Sequence, residues 1–152
     1  MTRGPAALAT LALTVLGLAA CGGDGDADEY GDEFQRVSQR IVAVGEDVGE
    51  AIETAASSSD EQLAEEFQGF AEDLGELRSD LGELEPPEDL ADEQDELATA
   101  MGEVRASLDD IASAAEQSDP EAARQATMEL IQRSAELGDA RQALVRAVRE
   151  ES

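Results

Sequence analysis

The spacing of apolar residues constrains the fold of this chain more than any other feature of its sequence. Between residues 63 and 84 apolar side chains recur at alternating steps of four and three, at Leu63, Phe67, Phe70, Leu74, Leu77, Leu81 and Leu84. Such steps place one apolar stripe along an α-helix, because a turn takes 3.6 residues. Alternation at period two, which indicates a strand, is nowhere sustained. The sequence therefore predicts an all-α protein.

Three more segments share this helical spacing. One runs from Tyr30 to Ala55 and another from Leu90 to Ala115. The last segment, roughly residues 120–149, differs because it carries two adjoining stripes, and a face that wide predicts contact with two neighbouring helices. The two stripes are Met128, Ile131, Ala135, Gly138 and Val145, and Ala123, Leu130, Leu137, Leu144 and Val148.

Helix-ending residues separate the segments. Ser59 with Gln62 three residues later fits a capping box, and Pro86 with Pro87 must end the second segment. The connections are short, so neighbouring helices are expected to be antiparallel. We therefore predict an up-down-up-down four-helix bundle over residues 30–152. A three-helix arrangement or a dimeric coiled coil of helical hairpins is the alternative, because heptads alone do not fix the number of helices.

The start of the chain is typical of an export signal. Arg3 gives a positive start, and residues 5–20 form an uncharged apolar run that is short for a membrane-spanning helix. The run ends in Leu18-Ala19-Ala20-Cys21, which resembles the lipobox of bacterial lipoproteins.

This resemblance implies a covalent lipid anchor. Signal peptidase II would recognise Leu18, Ala19 and Ala20 and cut before Cys21, whose thiol would carry a diacylglycerol. The alternatives are an ordinary cleaved signal peptide and an uncleaved membrane anchor. We expect residues 1–20 to be the signal peptide and residues 21–29, rich in Gly and Asp, to be the lipidated Cys and a flexible acidic linker. The mature protein would lie on the outer face of the cell membrane.

Charge excludes several classes of function. The chain has 37 Asp and Glu, ten Arg, no Lys and no His, for a net charge of −27. It should repel nucleic acid, and it lacks the His of a catalytic triad or an ordinary zinc site. The adjacent carboxylates Glu65/Glu66 and Asp109/Asp110 point in different directions on a helix. We expect no enzyme, no catalytic residue, no cofactor and no dedicated metal site, but diffuse binding of divalent cations.

Two further groups of polar residues have more than one interpretation. Gln94 interrupts the third apolar stripe and Gln142 the fourth, and such an amide either fixes helix register, contacts a ligand or is exposed. The last segment ends with Arg141, Arg146 and Arg149, which either face anionic headgroups or complement the helix C-terminus.

Residues 84–123 also resemble uncharacterised actinobacterial lipoproteins with helical mature domains. Those sequences often carry a His near the position of Gln94, which this chain lacks, so no metal role is carried over. The resemblance implies no activity. We expect a lipid-anchored helical module with an interaction or structural role in the cell envelope, contacting the membrane through Cys21 and binding an envelope protein. The alternative is a lipoprotein that binds a small ligand or a cation.

Overall fold

The computed structural model describes residues 24–151, which form four long helices. Short 3₁₀ turns follow the first helix at Ala55–Ser57 and precede the third at Glu88–Leu90. The prediction of an all-α four-helix bundle is confirmed. The helices are α1 (Asp24–Thr54), α2 (Asp60–Glu83), α3 (Ala91–Glu116) and α4 (Pro120–Glu151).

Contacts between side chains show that neighbouring helices run antiparallel. Arg78 of α2 donates to the carbonyl of Ala98 in α3 at 2.8 Å, whereas Gln68, ten residues earlier, reaches forward to Glu116 at 2.7 Å. Arg141 of α4 lies against Ser38 of α1. Helices α1 and α4 are therefore neighbours, and the bundle has the predicted up-down-up-down order.

Side-chain caps are present at the start of α2, where one was predicted, and at the start of α4. The Ser59 hydroxyl accepts from the Gln62 amide at 3.2 Å, and the Gln62 side chain accepts from the Ser59 amide at 3.1 Å, which completes the capping box. A carboxylate oxygen of Asp119 accepts from the amides of Glu121 and Ala122, both at 3.0 Å. These bonds satisfy amides that the first helical turn leaves without partners.

Helix α1 begins earlier than the sequence predicted. It starts at Asp24 and not at Tyr30, so residues 24–29 of the predicted linker are helical. Four of these six residues are acidic, and negative charge is favourable at the positive end of a helix dipole. Residues 21–23 of that linker lie outside the described residues.

Helix α4 contacts both α3 and α1, as its two stripes predicted, but the second stripe is not fully covered. Leu130, Leu137 and Leu144 are buried against the bundle, but Met128 and Ile131 are 60% and 62% exposed. Helix α4 packs extensively on α3 and only sparsely on α1. The second stripe therefore has too little of α1 beside it to be buried.

The core of the described chain comes from all four helices. Its members and the half-buried apolar side chains around them lie between Tyr30 and Val148. The segment from residue 22 onward thus contains the whole of this core. No helix within residues 24–151 has the length and apolar character needed to cross a membrane.

Candidate functional site

The first half of α1 is firmly packed. Tyr30, Phe34, Val37 and Ile41 are each at most 6% exposed. The rings of Tyr30 and Phe34 stack with their centroids 6.2 Å apart. Large side chains at four successive positions of the stripe hold this half against the other three helices.

A buried hydrogen-bond chain ties the start of α1 to the start of α3 and the end of α2, which lie at the same end of the bundle. The Tyr30 hydroxyl donates to Gln94 Oε1 at 2.8 Å, and Gln94 Nε2 donates to the carbonyl of Leu84 at 3.4 Å. Gln94 therefore joins α1, α3 and the end of α2, which supports its interpretation as a residue that fixes register. Burial raises the pKa of the Tyr30 hydroxyl well above its ordinary value, because the ionised form would lose its hydration.

Helices α1 and α4 meet closely beside this buried chain. A Cβ added to Gly31 would lie 3.0 Å from Val148 Cγ1, so only glycine allows the observed approach without movement of the Val148 side chain. Two turns further along α1, Arg141 Nη1 donates to the buried Ser38 hydroxyl at 3.1 Å. These contacts bring the two helices together at two points along the seam.

Beyond Ile41 the seam opens into a groove. A Cβ added to Gly45 of α1 or to Gly138 of α4 would meet no other side chain or distant backbone within 4 Å. The groove contains a cavity of about 240 Å³, whose floor is supplied by α2 and α3. We call this cavity the apolar groove, and its lining residues are Ile41, Val42, Val44, Gly45, Val48, Leu74, Val104, Leu108, Ser134, Leu137, Gly138 and Arg141.

A second, more polar cavity of about 390 Å³ lies on the other side of Arg141, again between α1 and α4. Its charged lining residues are Arg141, Arg149, Asp28 and Asp32. Arg141 lines both cavities, so its guanidinium stands at the boundary between an apolar and a polar compartment. Within residues 24–151 Arg141 forms no ion pair, in contrast to Arg133, which contacts both Glu103 and Glu136.

The large exposed apolar side chains of the described residues lie on the two helices that wall the groove. Val42 of α1 is 40% exposed, and Met128 and Ile131 belong to α4. Ile131 precedes the groove residues Ser134 and Gly138 by three and seven residues, which places it on the same face of the helix. An apolar strip therefore continues from the groove along α4.

Most residues singled out from the sequence do not meet in one place. Gln94 is buried, with its side chain hydrogen-bonded inside the bundle, whereas Gln142 and Arg146 are exposed. Arg141 and Arg149, in contrast, line the same cavity. The proposed anchor residue Cys21 and its recognition residues Leu18, Ala19 and Ala20 lie outside the described residues.

The acidic side chains do not converge on a site. The carboxylate pairs Glu65/Glu66 and Asp109/Asp110 are exposed on α2 and α3. Within residues 24–151 no three metal-ligating side chains are grouped closely enough to hold an ion. The expectation of diffuse cation binding stays a prediction.

Sequence reasoning missed the apolar groove. The available signal was the pair Gly45 and Gly138, which lie on helices at or beside apolar stripe positions without filling them. The sequence does not show that these two glycines face one seam, because that depends on how α1 and α4 are placed around the bundle.

No protein family, curated protein or solved structure matches this chain. The case for a function therefore depends on the lipobox-like residues and on the geometry of the seam between α1 and α4.

Proposed function

We propose that this protein is a cell-envelope lipoprotein, anchored through a lipid on Cys21, whose helical bundle is a binding module. The observation that carries the binding role is the apolar groove between α1 and α4. At this groove Val42 is 40% exposed and Val44 is half-buried, so apolar surface is in contact with water, and covering that surface is favourable. The anchor is supported by Leu18-Ala19-Ala20-Cys21 at the end of an export signal.

The anchor is tested in a bacterial host that lipidates proteins. Mass spectrometry of the N-terminal peptide should show Cys21 as the first residue, carrying a diacylglycerol mass. Cys21→Ser should abolish the lipid and move the protein out of the membrane fraction, whereas the control Gly23→Ser should leave both unchanged. An unmodified thiol at Cys21, or membrane attachment of Cys21→Ser equal to that of the original chain, would refute the anchor.

The binding role is tested separately in membranes. A photo-crosslinking amino acid replaces Gly45 in the groove, and in a matched control it replaces Gly82, which is exposed on α2. A specific adduct from position 45 that is absent from position 82 supports a binding groove. Equal labelling at the two positions would show that the groove has no special role.

An envelope-protein partner is the second candidate, and one observation favours it. Met128, Ile131 and Val42 expose apolar surface beside the groove, and exposed apolar patches mark protein interfaces. A partner helix that docks there would be attracted by a basic face, because the chain is strongly acidic. In the crosslinking experiment this candidate gives a protein adduct, whereas a small ligand adds only a low mass.

A further inference from the structure

The shape of the groove narrows the class of ligand that the proposed binding role involves. The seam narrows at Gly31 and Val148 and is crossed by the contact between Arg141 and Ser38, which separates the polar cavity from the apolar groove beyond Ile41. An α-helix with its side chains is about 10–12 Å across. An extended alkyl chain is much slimmer, because its carbons pack at about 4 Å from the carbons of a surrounding wall. A cavity of about 240 Å³ therefore suits a slim chain better than a helix.

The walls of the groove match such a chain chemically. Val44, Val48, Leu74, Leu108 and Leu137 contribute aliphatic surface to the lining. Each methylene group transferred from water to such a surface contributes about 0.8 kcal/mol. A ligand longer than the enclosed cavity can continue along the exposed strip at Ile131, so the open end sets no sharp limit on chain length.

The closed end of the groove holds the polar partner for a ligand head. The Arg141 guanidinium has five N–H donors, and among the described residues one hydrogen bond is formed, to Ser38. Arginine binds carboxylate through two parallel hydrogen bonds. In a chain with a net charge of −27, an arginine without an ion pair among the described residues offers a local site for an anion.

The neighbouring charges favour a monoanion over a phosphate. Asp28 and Asp32 line the polar cavity beside Arg141, and they would repel a head with two negative charges more strongly than one with a single charge. Arg149 lines the same cavity and partly balances them. One guanidinium and one serine hydroxyl supply donors for the two oxygens of a carboxylate.

We infer that the apolar groove binds a long-chain fatty acid, with the alkyl chain between α1 and α4 and the carboxylate at Arg141 and Ser38. This inference rests on the proposed binding role and names its ligand class. Long-chain carboxylates are membrane-derived amphiphiles, so they are within reach of a membrane-anchored protein.

The experiment measures binding of tetradecanoate to residues 22–152, by displacement of the fluorescent fatty acid dansylundecanoate. Saturable binding at one site per chain is expected. Gly45→Leu should weaken it more than tenfold by filling the groove, and Arg141→Gln should weaken it about tenfold. A tenfold loss corresponds to about 1.4 kcal/mol, the scale of one hydrogen bond to a charged group.

Matched controls keep the result specific. Gly82→Leu adds the same side chain at an exposed glycine of α2, and Arg124→Gln removes an exposed arginine of α4 that forms no ion pair within residues 24–151. Neither control should change the affinity for tetradecanoate. Tetradecanol, which has the same chain and no charge, should bind equally to the original chain and to Arg141→Gln. Helicity and the melting temperature confirm that every variant is folded.

Three results would overturn the inference: no saturable binding, affinity unchanged in Gly45→Leu, or equal affinity for tetradecanoate in Arg141→Gln and the original chain. Failure here is distinguishable from failure of the proposed function. A specific crosslink at position 45 in membranes, together with no fatty-acid binding, preserves the binding groove and removes only this ligand class.

Discussion

The two halves of α1 pack in opposite ways. Residues 30–41 carry Tyr30, Phe34, Val37 and Ile41, all buried, and contact α3 and α4 through defined polar bonds. Residues 42–54 also contribute buried Val48 and Ala51, but they carry Gly45 and Gly49, whose missing side chains would meet nothing within 4 Å, and a half-buried Val44. One helix thus serves as a fixed wall at one end and as the side of a groove at the other.

This contrast shows that an amphipathic pattern gives the side of a helix that is buried but not how closely it is packed. Val44 and Val48 continue the stripe of Phe34 and Ile41 with the same spacing. Side-chain volume differs, however, and close packing requires that volume to fill the space between helices. Small side chains in the second half leave room that aromatic rings fill in the first.

The largest expected effect comes from truncating a side chain in the closed half. Phe34→Ala should lower the free energy of unfolding by about 3–5 kcal/mol, because it leaves a cavity where a ring was enclosed. Val48→Ala, beside the groove, should cost about 1–2 kcal/mol, since it removes two buried methyl groups and not a whole ring. Urea unfolding of residues 22–152 measures both. Equal losses would show that the two halves are packed alike.

High pH should loosen the closed half selectively. The pKa of Tyr30 is raised in the folded state, so its contribution is intact below the unfolded pKa of about 10 and is lost as pH rises through the folded value. Above about pH 10, stability should fall by up to about 1.4 kcal/mol per pH unit. Residues 22–152 contain no Lys, His or Cys and one Tyr, so no other side chain titrates between pH 9 and 11.5.

Thermal melts between pH 9 and 11.5 provide the measurement. Tyr30→Phe is the control, and its melting temperature should stay nearly constant over that range. If the variant and the original chain decline in parallel, the tyrosine is not the group responsible.

The hydrogen bond between Tyr30 and Gln94 should contribute a smaller, separable amount. Tyr30→Phe leaves the buried Gln94 oxygen without its donor and should cost about 1–2 kcal/mol. Gln94→Leu should also destabilise, and the double variant should lose less than the two single losses combined. Strict additivity in chemical denaturation would mean that this pair is not coupled.

The smallest effect compares two glycines of α1. Gly45→Ala should stabilise the protein by about 0.5–1 kcal/mol, because alanine favours helix and its Cβ meets no neighbour. Gly31→Ala has the same gain in propensity but places its Cβ 3.0 Å from Val148 Cγ1, so its melting temperature should lie below that of Gly45→Ala. An equal rise for both would indicate that the seam is as open at Gly31 as at Gly45.

The helical architecture was predictable because local signals agreed with one another. The stripe from Leu63 to Leu84, the capping box at Ser59 and the break at Pro86 each define the same helix, and the structure contains it. Gln94 was also identified as a break in a stripe, although its partner was not, since Tyr30 is 64 residues away in the chain.

The groove was not predictable for a physical reason. Two adjoining stripes on α4 indicated two neighbours, and nothing local revealed that α1 would leave Ile131 and Met128 uncovered. That outcome depends on the volumes of side chains from four helices at one level of the bundle. Arg141 was noted for its charge, but its position across from Ser38 required the placement of α1 against α4.

The early start of α1 sets how far the protein can stand from a bilayer. In the proposed lipidated form, the three peptide units from Cys21 to Asp24, where the helix begins, span at most about 11 Å. Ser38 then lies about 21 Å along the helix from Asp24, and the mouth at Gly45 about 32 Å. In that form the short connection would keep the groove within a limited distance of the headgroups, while the bundle could still tilt about its anchor.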